Sequence, residues 1–279
     1  MVLISSPSNP RIRALQHLHT VRGRKKSGLF LMEGLHALEA VLDASLLPRE
    51  IYYQPDLLRR TPRGANLLER MLHTLPEETL LEVNERVIEA IGEVQTSQGA
   101  VCVLPLEAFA PERIATRRQQ RVRPALLILD DLADPGNMGT ILRTALAADV
   151  DKVLLTQRCV DCFSPKVVRA AVGAHVALPV APDLSWEAIR AYVAAHCAGQ
   201  SRIFLAAADG QQDYYHLNFT QPFALIIGSE AHGPSQSARE LASTIITIPL
   251  ANGVESLNAA IAASIILYEC VRQRETHSL

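Results

Sequence analysis

The stretch ALLILDDLADPGNMGTILRTALA, residues 125–147, decides how the fold is read. Its first five residues, Ala125 to Leu129, are a short, wholly apolar run. Three aspartates and a Pro-Gly pair then lead into a helical pattern. Near-continuous apolar strands joined to helices indicate a parallel sheet covered on both faces. The turn between strand and helix falls at the carboxyl edge of such a sheet, where open α/β folds place their ligands. Asn137 is expected to cap the helix, with Arg143 projecting from its second turn. A capping turn plus a surface arginine would leave the same residues, so this segment alone does not establish a site. Neither a dinucleotide fingerprint nor GxxxxGK[ST] is present. The turn is therefore not a phosphate cradle, and a dinucleotide oxidoreductase is excluded.

Working outward, the same rhythm continues. Lys152–Thr156, Arg202–Ala206, Phe223–Ile227 and Ile245–Ile248 are short apolar runs separated by helical stretches, and a last helix is expected from about Leu257 to Arg272. Two of these runs end in polar, glycine-bearing loops. Gly228-Ser229-Glu230-Ala231-His232-Gly233-Pro234 places an acid between two glycines that permit close backbone approach. Ala251-Asn252-Gly253-Val254-Glu255-Ser256-Leu257-Asn258 combines an Asn-Gly turn signal with Ser256, which is placed to cap the last helix. Asn258 is expected in the first turn of that helix, its amide free to reach across. Three strand-end loops with polar groups and flexible backbone make a cofactor pocket, but this pattern does not name the cofactor.

Upstream, helical and extended patterns alternate. Asn9 and Pro10 open a helix expected to run to about Val21, and Leu35–Leu42, Gly64–His73 and Asn84–Ile91 are further helices. Leu29–Met32, Ile51–Tyr53, Thr79–Val83 and Ala100–Leu104 read as strands. The boundary to the second domain falls in the charged, proline-bracketed segment from Pro105 to Pro124.

Bulk composition is that of a folded chain of one large or two ordinary domains: 279 residues, 48% hydrophobic and 20% charged. The formal charge of −2 argues against a uniformly basic nucleic-acid binder. Its distribution argues the other way. Arg11, Arg13, Arg22, Arg24, Lys25 and Lys26 give the first 30 residues +6 with no acid, leaving the remainder at −8. A second basic run comprises Arg113, Arg117, Arg118, Arg121 and Arg123. Either can contact phosphates, and solvated helix faces have the same signature. Five cysteines without scaffold spacing suggest a reducing compartment, and the lone Cys159/Cys162 pair lacks the partners of a metal site. No metal is expected. The start of the chain lacks the apolar run of a signal peptide, and Leu257–Tyr268 is too short to span a membrane. A cytoplasmic location is expected.

On these residues the sequence resembles the SpoU (TrmH) family of RNA 2′-O-ribose methyltransferases, within the SPOUT superfamily. DPGNMGTILRT at 134–144, GSEAHG at 228–233 and IPLANGVESLN at 248–258 match its motifs in order and spacing. VDCFSPKVVRAAVGAHVALPV at 160–180 is similar to family sequence, as are FLMEG at 30–34 and QTSQGAVCV at 95–103 in the N-terminal part. The resemblance implies an α/β fold in which a C-terminal parallel-sheet domain, residues 124–279, carries a deep trefoil knot. A small α/β/α ribosomal-protein-like domain, residues 1–106, precedes it, with residues 107–123 as linker. It implies S-adenosylmethionine as cofactor, bound around Ile227, Gly228, Glu230, Gly233, Ile248, Leu250 and Leu257. Arg143, Asn137, Glu230, Ser256 and Asn258 are the implied catalytic group. The resemblance implies Arg143 as the residue nearest the ribose and as the proposed base; because a guanidinium normally stays protonated, orienting the ribose hydroxyl or an adjacent phosphate is the role expected first. RNA contact is expected from Arg11, Arg13, Arg22, Arg24, Lys25 and Lys26.

The implied reaction is 2′-O-ribose methylation of RNA by a homodimer joined through the knotted domains. The two-domain layout favours ribosomal RNA, of the large subunit, over transfer RNA; an RNA-binding protein that has lost catalysis is the alternative of a different class. Small departures from the family pattern include Leu250 in place of a common methionine and Cys162 in place of a common proline. None removes a proposed site residue.

Overall fold

The computed structural model describes residues 3–92, 97–116, 124–197, 202–229 and 232–276. It divides into two compact units. One comprises Met1–Phe109 with Phe163–Val176, the other Ala110–Cys162 with Ala177–Leu279. The segment Phe163–Val176 thus groups with the first unit although strands of the second flank it in sequence.

In the first unit, β1 (Leu29–Glu33), β2 (Glu50–Tyr53), β3 (Leu80–Glu82) and β4 (Ala100–Pro105) form a mixed sheet ordered β1-β4-β2-β3. β4 runs antiparallel to both its neighbours, and β2 pairs with β3 in parallel. Phe30, Phe109 and Phe163 pack edge-on or tilted, with β1 at the centre of the cluster. The first helix is shorter than its apolar spacing predicts. It covers Pro10–Gln16, passes into a 3-10 turn, and restarts at Val21 with the Thr20 hydroxyl capping Gly23 N–H. A hydroxyl that accepts from the backbone two or three residues on offers the chain this alternative to continuing the helix.

The second unit is built on seven strands: β5 (Ala125–Leu129), β6 (Lys152–Thr156), β7 (Val180–Leu184), β8 (Ile203–Ala206), β9 (Gln212–Asp213), β10 (Phe223–Ile227) and β11 (Thr244–Thr247). Every pairing in the order β7-β6-β5-β10-β8-β11-β9 is parallel. β5 and β10 are central and buried along their full length, as their unbroken apolar composition requires. Each large side chain so buried contributes roughly 1.5–3 kcal/mol relative to exposure.

Two strands carry no sequence signature of their kind. β7 contains Pro182 and has Asp183 at φ +58°, both tolerated because it lies on the sheet edge. β9 has only two residues. The helices Pro135–Ala147 and Ala259–Thr276 pack on each other, with the Thr144 and Ser264 hydroxyls 3.3 Å apart. No described helix is long and apolar enough to cross a membrane.

Candidate active site

Because all seven strands run the same way, the loops after β5, β8, β10 and β11 leave the same edge of the sheet. A cavity of about 190 Å³ opens there. Ala206, Ala207 and Ala208 line it after β8; Ile227, Gly228, Ser229 and Gly233 around the end of β10; Ile248, Leu250, Ser256 and Leu257 after β11. All the described members of the expected cofactor set therefore share one cavity. Glu230, expected in both the cofactor and the catalytic sets, lies outside the described residues.

Local chemistry shapes each wall. Gly228 is compulsory: a Cβ there would come within 2.8 Å of the Pro234 backbone, so only glycine lets the loop fold back so closely. Ser229 and Gly233 bridge across it, and Gly233 takes φ +65°. In the loop after β11, Asn252 and Gly253 both adopt positive φ, 57° and 71°, as an Asn-Gly turn demands. The lining carries no ionised side chain among the described residues, and its alanines and glycines leave width for a flat group. Such an apolar slot between strand-end backbones fits an uncharged heteroaromatic ring with an attached ribose, which is the character of an adenosyl group.

The polar residues beside the slot are placed by helix capping, and two caps differ from expectation. Asp134, not Asn137, caps the helix Pro135–Ala147, its Oδ1 accepting from Asn137 N–H at 2.8 Å. Pro135 occupies the first helical turn, which makes the residue before it the cap. Asn137 sits one turn inside. Likewise Asn258, not Ser256, caps the helix Ala259–Thr276: its Oδ1 accepts from Ala260 N–H at 2.9 Å and Ile261 N–H at 3.2 Å. Ser256 lines the cavity instead.

With its oxygen committed to the cap, the Asn258 amide nitrogen donates to Asn137 Oδ1 at 3.0 Å. Residues 121 positions apart are thereby joined side chain to side chain. Arg143 follows on the same helix as Asn137, roughly 9 Å further along its axis. It is exposed and makes no ion pair among the described residues. It is not among the residues that line the cavity, and its exposed guanidinium is available to an anionic or hydroxyl-bearing ligand.

Two acids at the end of β5 extend this set beyond the sequence reading. Asp130 is fully buried, and its Oδ2 accepts from Ser235 N–H at 2.7 Å. Burial pushes its carboxyl above the ordinary carboxylate range, with the Ser235 hydrogen bonds acting in the opposite direction. Asp131 pairs with Arg158. Asp134 was detectable as a cap from the Asp-Pro order. Asp130 was not, since its partner is 105 positions away.

In the first unit, Arg11, Arg13, Arg22, Lys25 and Lys26 are exposed, with Arg11 3.7 Å from Glu50. Arg24 is the exception to the expected RNA-contact set. It is 2% exposed, and its guanidinium donates to Leu18 C=O at 2.6 Å, a structural use that withdraws it from solvent and from phosphate. Arg117, Arg118, Arg121 and Arg123 of the second basic run lie outside the described residues.

Comparison with known proteins agrees with this geometry. The SpoU rRNA methylase family model matches residues 124–268, and the MRM3-like substrate-binding domain matches residues 9–102. The chain is 31% identical to the 23S rRNA (guanosine(2553)-2′-O)-methyltransferase RlmP of Bacillus subtilis, over 96% of this chain and 98% of that protein. It is 31% identical to the mitochondrial rRNA methyltransferase 3 of Mus musculus, over 90% of this chain and 69% of the relative. The solved structure of the SpoU methyltransferase AviRb from Streptomyces viridochromogenes, in complex with AdoMet, superposes with a TM-score of 0.80 at 27% identity, covering 96% of this chain and all of that one. The family match spans the whole parallel-sheet segment that carries the cavity, and the chain therefore belongs to the SpoU rRNA methylase family.

Proposed function

We propose that this chain transfers a methyl group from S-adenosylmethionine to a ribose 2′-hydroxyl of ribosomal RNA, of the large subunit, and that the cavity at the carboxyl edge is its cofactor site. The observation that carries the reading is the Asn258–Asn137 hydrogen bond, which sets the Arg143 helix beside the wall of the apolar slot. S-adenosylmethionine, when bound, supplies an electrophilic methyl on a sulfonium sulfur. Ile227, Gly228, Ile248, Leu250 and Leu257 hold its adenosyl part through apolar contact and close backbone approach.

The protein's remaining tasks are to hold the ribose in line and to manage the hydroxyl proton. Arg143 orients the hydroxyl or the adjacent phosphate. Asn137 and Asn258 fix the helix that carries it, and Ser256 and Glu230 complete the assigned group. Arg11, Arg13, Arg22, Lys25 and Lys26 offer phosphates an exposed cationic surface on the first unit.

The assignment includes two features of assembly. One is a trefoil knot in which the segment 248–258 threads the loop after β10, as the family resemblance implies. The other is a homodimer joined through the second unit. Leu250, Val254, Ile261 and Tyr268 are exposed apolar residues on the cavity wall, the following loop and the last helix, and a second copy would cover them.

The test is methyl transfer from labelled S-adenosylmethionine to unmodified ribosomal and transfer RNA, assayed separately. Label recovered in alkali-resistant dinucleotides of large-subunit RNA is the expected result. Label in transfer RNA alone would overturn the substrate, and no cofactor binding would overturn the enzyme.

A further inference from the structure

Asp130 is a buried acid to which the proposed transfer assigns no role. It is fully buried at the carboxyl end of β5, one residue beyond the strand, and its backbone N–H donates to Ile227 C=O at 2.9 Å. The side chain then reaches past the end of β10. Its Oδ2 accepts from the backbone N–H of Ser235 at 2.7 Å, and its Oδ1 is buried without a hydrogen-bond partner among the described residues.

Ser235 is where the loop after β10 closes. Gly228 at the loop's start packs against Pro234 at its end, Ser229 bridges Gly233, and Ser235 caps the helix Gln236–Leu241 through its hydroxyl. Four residues of this loop, Gly228, Ser229, Gly233 and Pro234, wall the apolar cavity. Asp130 thus ties the base of that loop to the strand from which Asp134, Asn137 and Arg143 continue. The Asp130 contact with Ser235 N–H sits where the cavity wall meets the strand leading to the helix of Arg143.

We propose that Asp130 is a positioning residue for cofactor binding, which holds Gly233 and Pro234 against Gly228 and Ser229 where these four residues wall the cavity. The proposal rests on the reading of that cavity as the S-adenosylmethionine site. Loss of the Ser235 N–H contact leaves the strands paired but frees the loop base, so cofactor affinity falls while the fold remains. The amide oxygen of an asparagine can accept the same hydrogen bond, whereas alanine cannot.

Isothermal titration with S-adenosylmethionine tests this on the full-length chain. Wild type is titrated first: no binding there would overturn the reading of the cavity and this proposal with it. With wild-type binding in hand, Asp130→Ala is expected to weaken the dissociation constant at least about tenfold, and Asp130→Asn no more than about threefold. Val193→Ala, a core truncation in the helix Trp186–His196, controls for lost stability; at a comparable fall in Tm it leaves the dissociation constant near wild type. Should Asp130→Ala not fold, Ser235→Pro removes the same N–H at a residue whose φ of −65° suits proline, with Ser235→Ala as the control for the lost cap. Weakening by Ser235→Pro and not by Ser235→Ala supports the clamp. Wild-type affinity in Asp130→Ala, or in Ser235→Pro, overturns it, as does equal weakening by Val193→Ala.

Discussion

The two sheets of this protein differ in strand direction, and that difference decides where chemistry gathers. In the first unit β4 runs antiparallel to β1 and β2, so strand ends are shared between two edges. Its polar character lies on helix surfaces, as exposed arginines and lysines. In the second unit every strand is parallel, so the loops after β5, β8, β10 and β11 meet at one edge and enclose the cavity. A mixed sheet distributes its polar loops; an all-parallel sheet concentrates them. The lesson is a division of labour: diffuse charge contact in one unit, convergent geometry in the other.

The sharpest way to break that division is to remove convergent groups. Asn258→Ala severs the link to Asn137 and the cap of the last helix together, and Arg143→Ala removes the exposed guanidinium. Each is expected to lower the methyl-transfer rate by about 10²-fold, the scale of a lost, preorganised polar contact. Single-turnover kinetics with saturating cofactor would show it, and wild-type rates in both would sink the assignment. Gly228→Ala is expected to act next most strongly. Its Cβ would press on the Pro234 backbone, displacing the loop and weakening cofactor binding about tenfold, or roughly 1.4 kcal/mol. Equilibrium titration checks this, with thermal unfolding as the measure of general damage.

Changes to the first unit should leave cofactor affinity alone. Replacing Arg13, Arg22 and Lys26 together by alanine is expected to lower the salt dependence of RNA binding, reducing the slope of log K against log salt by about two. A changed dissociation constant for S-adenosylmethionine in this variant would break the proposed separation. The smallest effect belongs to the Glu39–Arg63 pair, in which Arg63 Nε lies 2.8 Å from Glu39 Oε1. The hydrogen bond from Arg63 holds the Glu39 carboxyl below its ordinary value, so the pair's contribution is present at neutral pH and lost as pH falls through the folded value. Arg63 is exposed and the pair is screened by solvent, so Glu39→Gln should shift chemical denaturation at pH 7 only slightly.

Periodicity made much of the fold legible. Ala125–Leu129, Lys152–Thr156 and Phe223–Ile227 are strands with the limits their apolar runs predict, because a buried parallel strand needs no alternation to mark it. The Asn-Gly turn and the glycine-bearing loop after β10 were readable from local backbone demands. Edge strands were not: β7 carries a proline and a positive-φ aspartate, and β9 is too short to show any period. Arg24 illustrates the opposite failure. A charge in a basic run was read as solvated, yet tertiary packing buries it and supplies a carbonyl partner.

What the sequence determined by itself was the α/β class, the strand-end position of the three polar loops and, through motif order and spacing, the family. These depend on near neighbours and on patterns that recur along the chain. Only the tertiary structure decided that Asn258 meets Asn137, that Asp130 reaches Ser235, and that Asp134 and Asn258 are the caps in use. Two of these contacts span more than a hundred residues, and each is a choice among several partners that local geometry permits equally. Packing of the helices Pro135–Ala147 and Ala259–Thr276 over one parallel sheet removes the alternatives, which is why the site could be anticipated in composition but not in its hydrogen bonds.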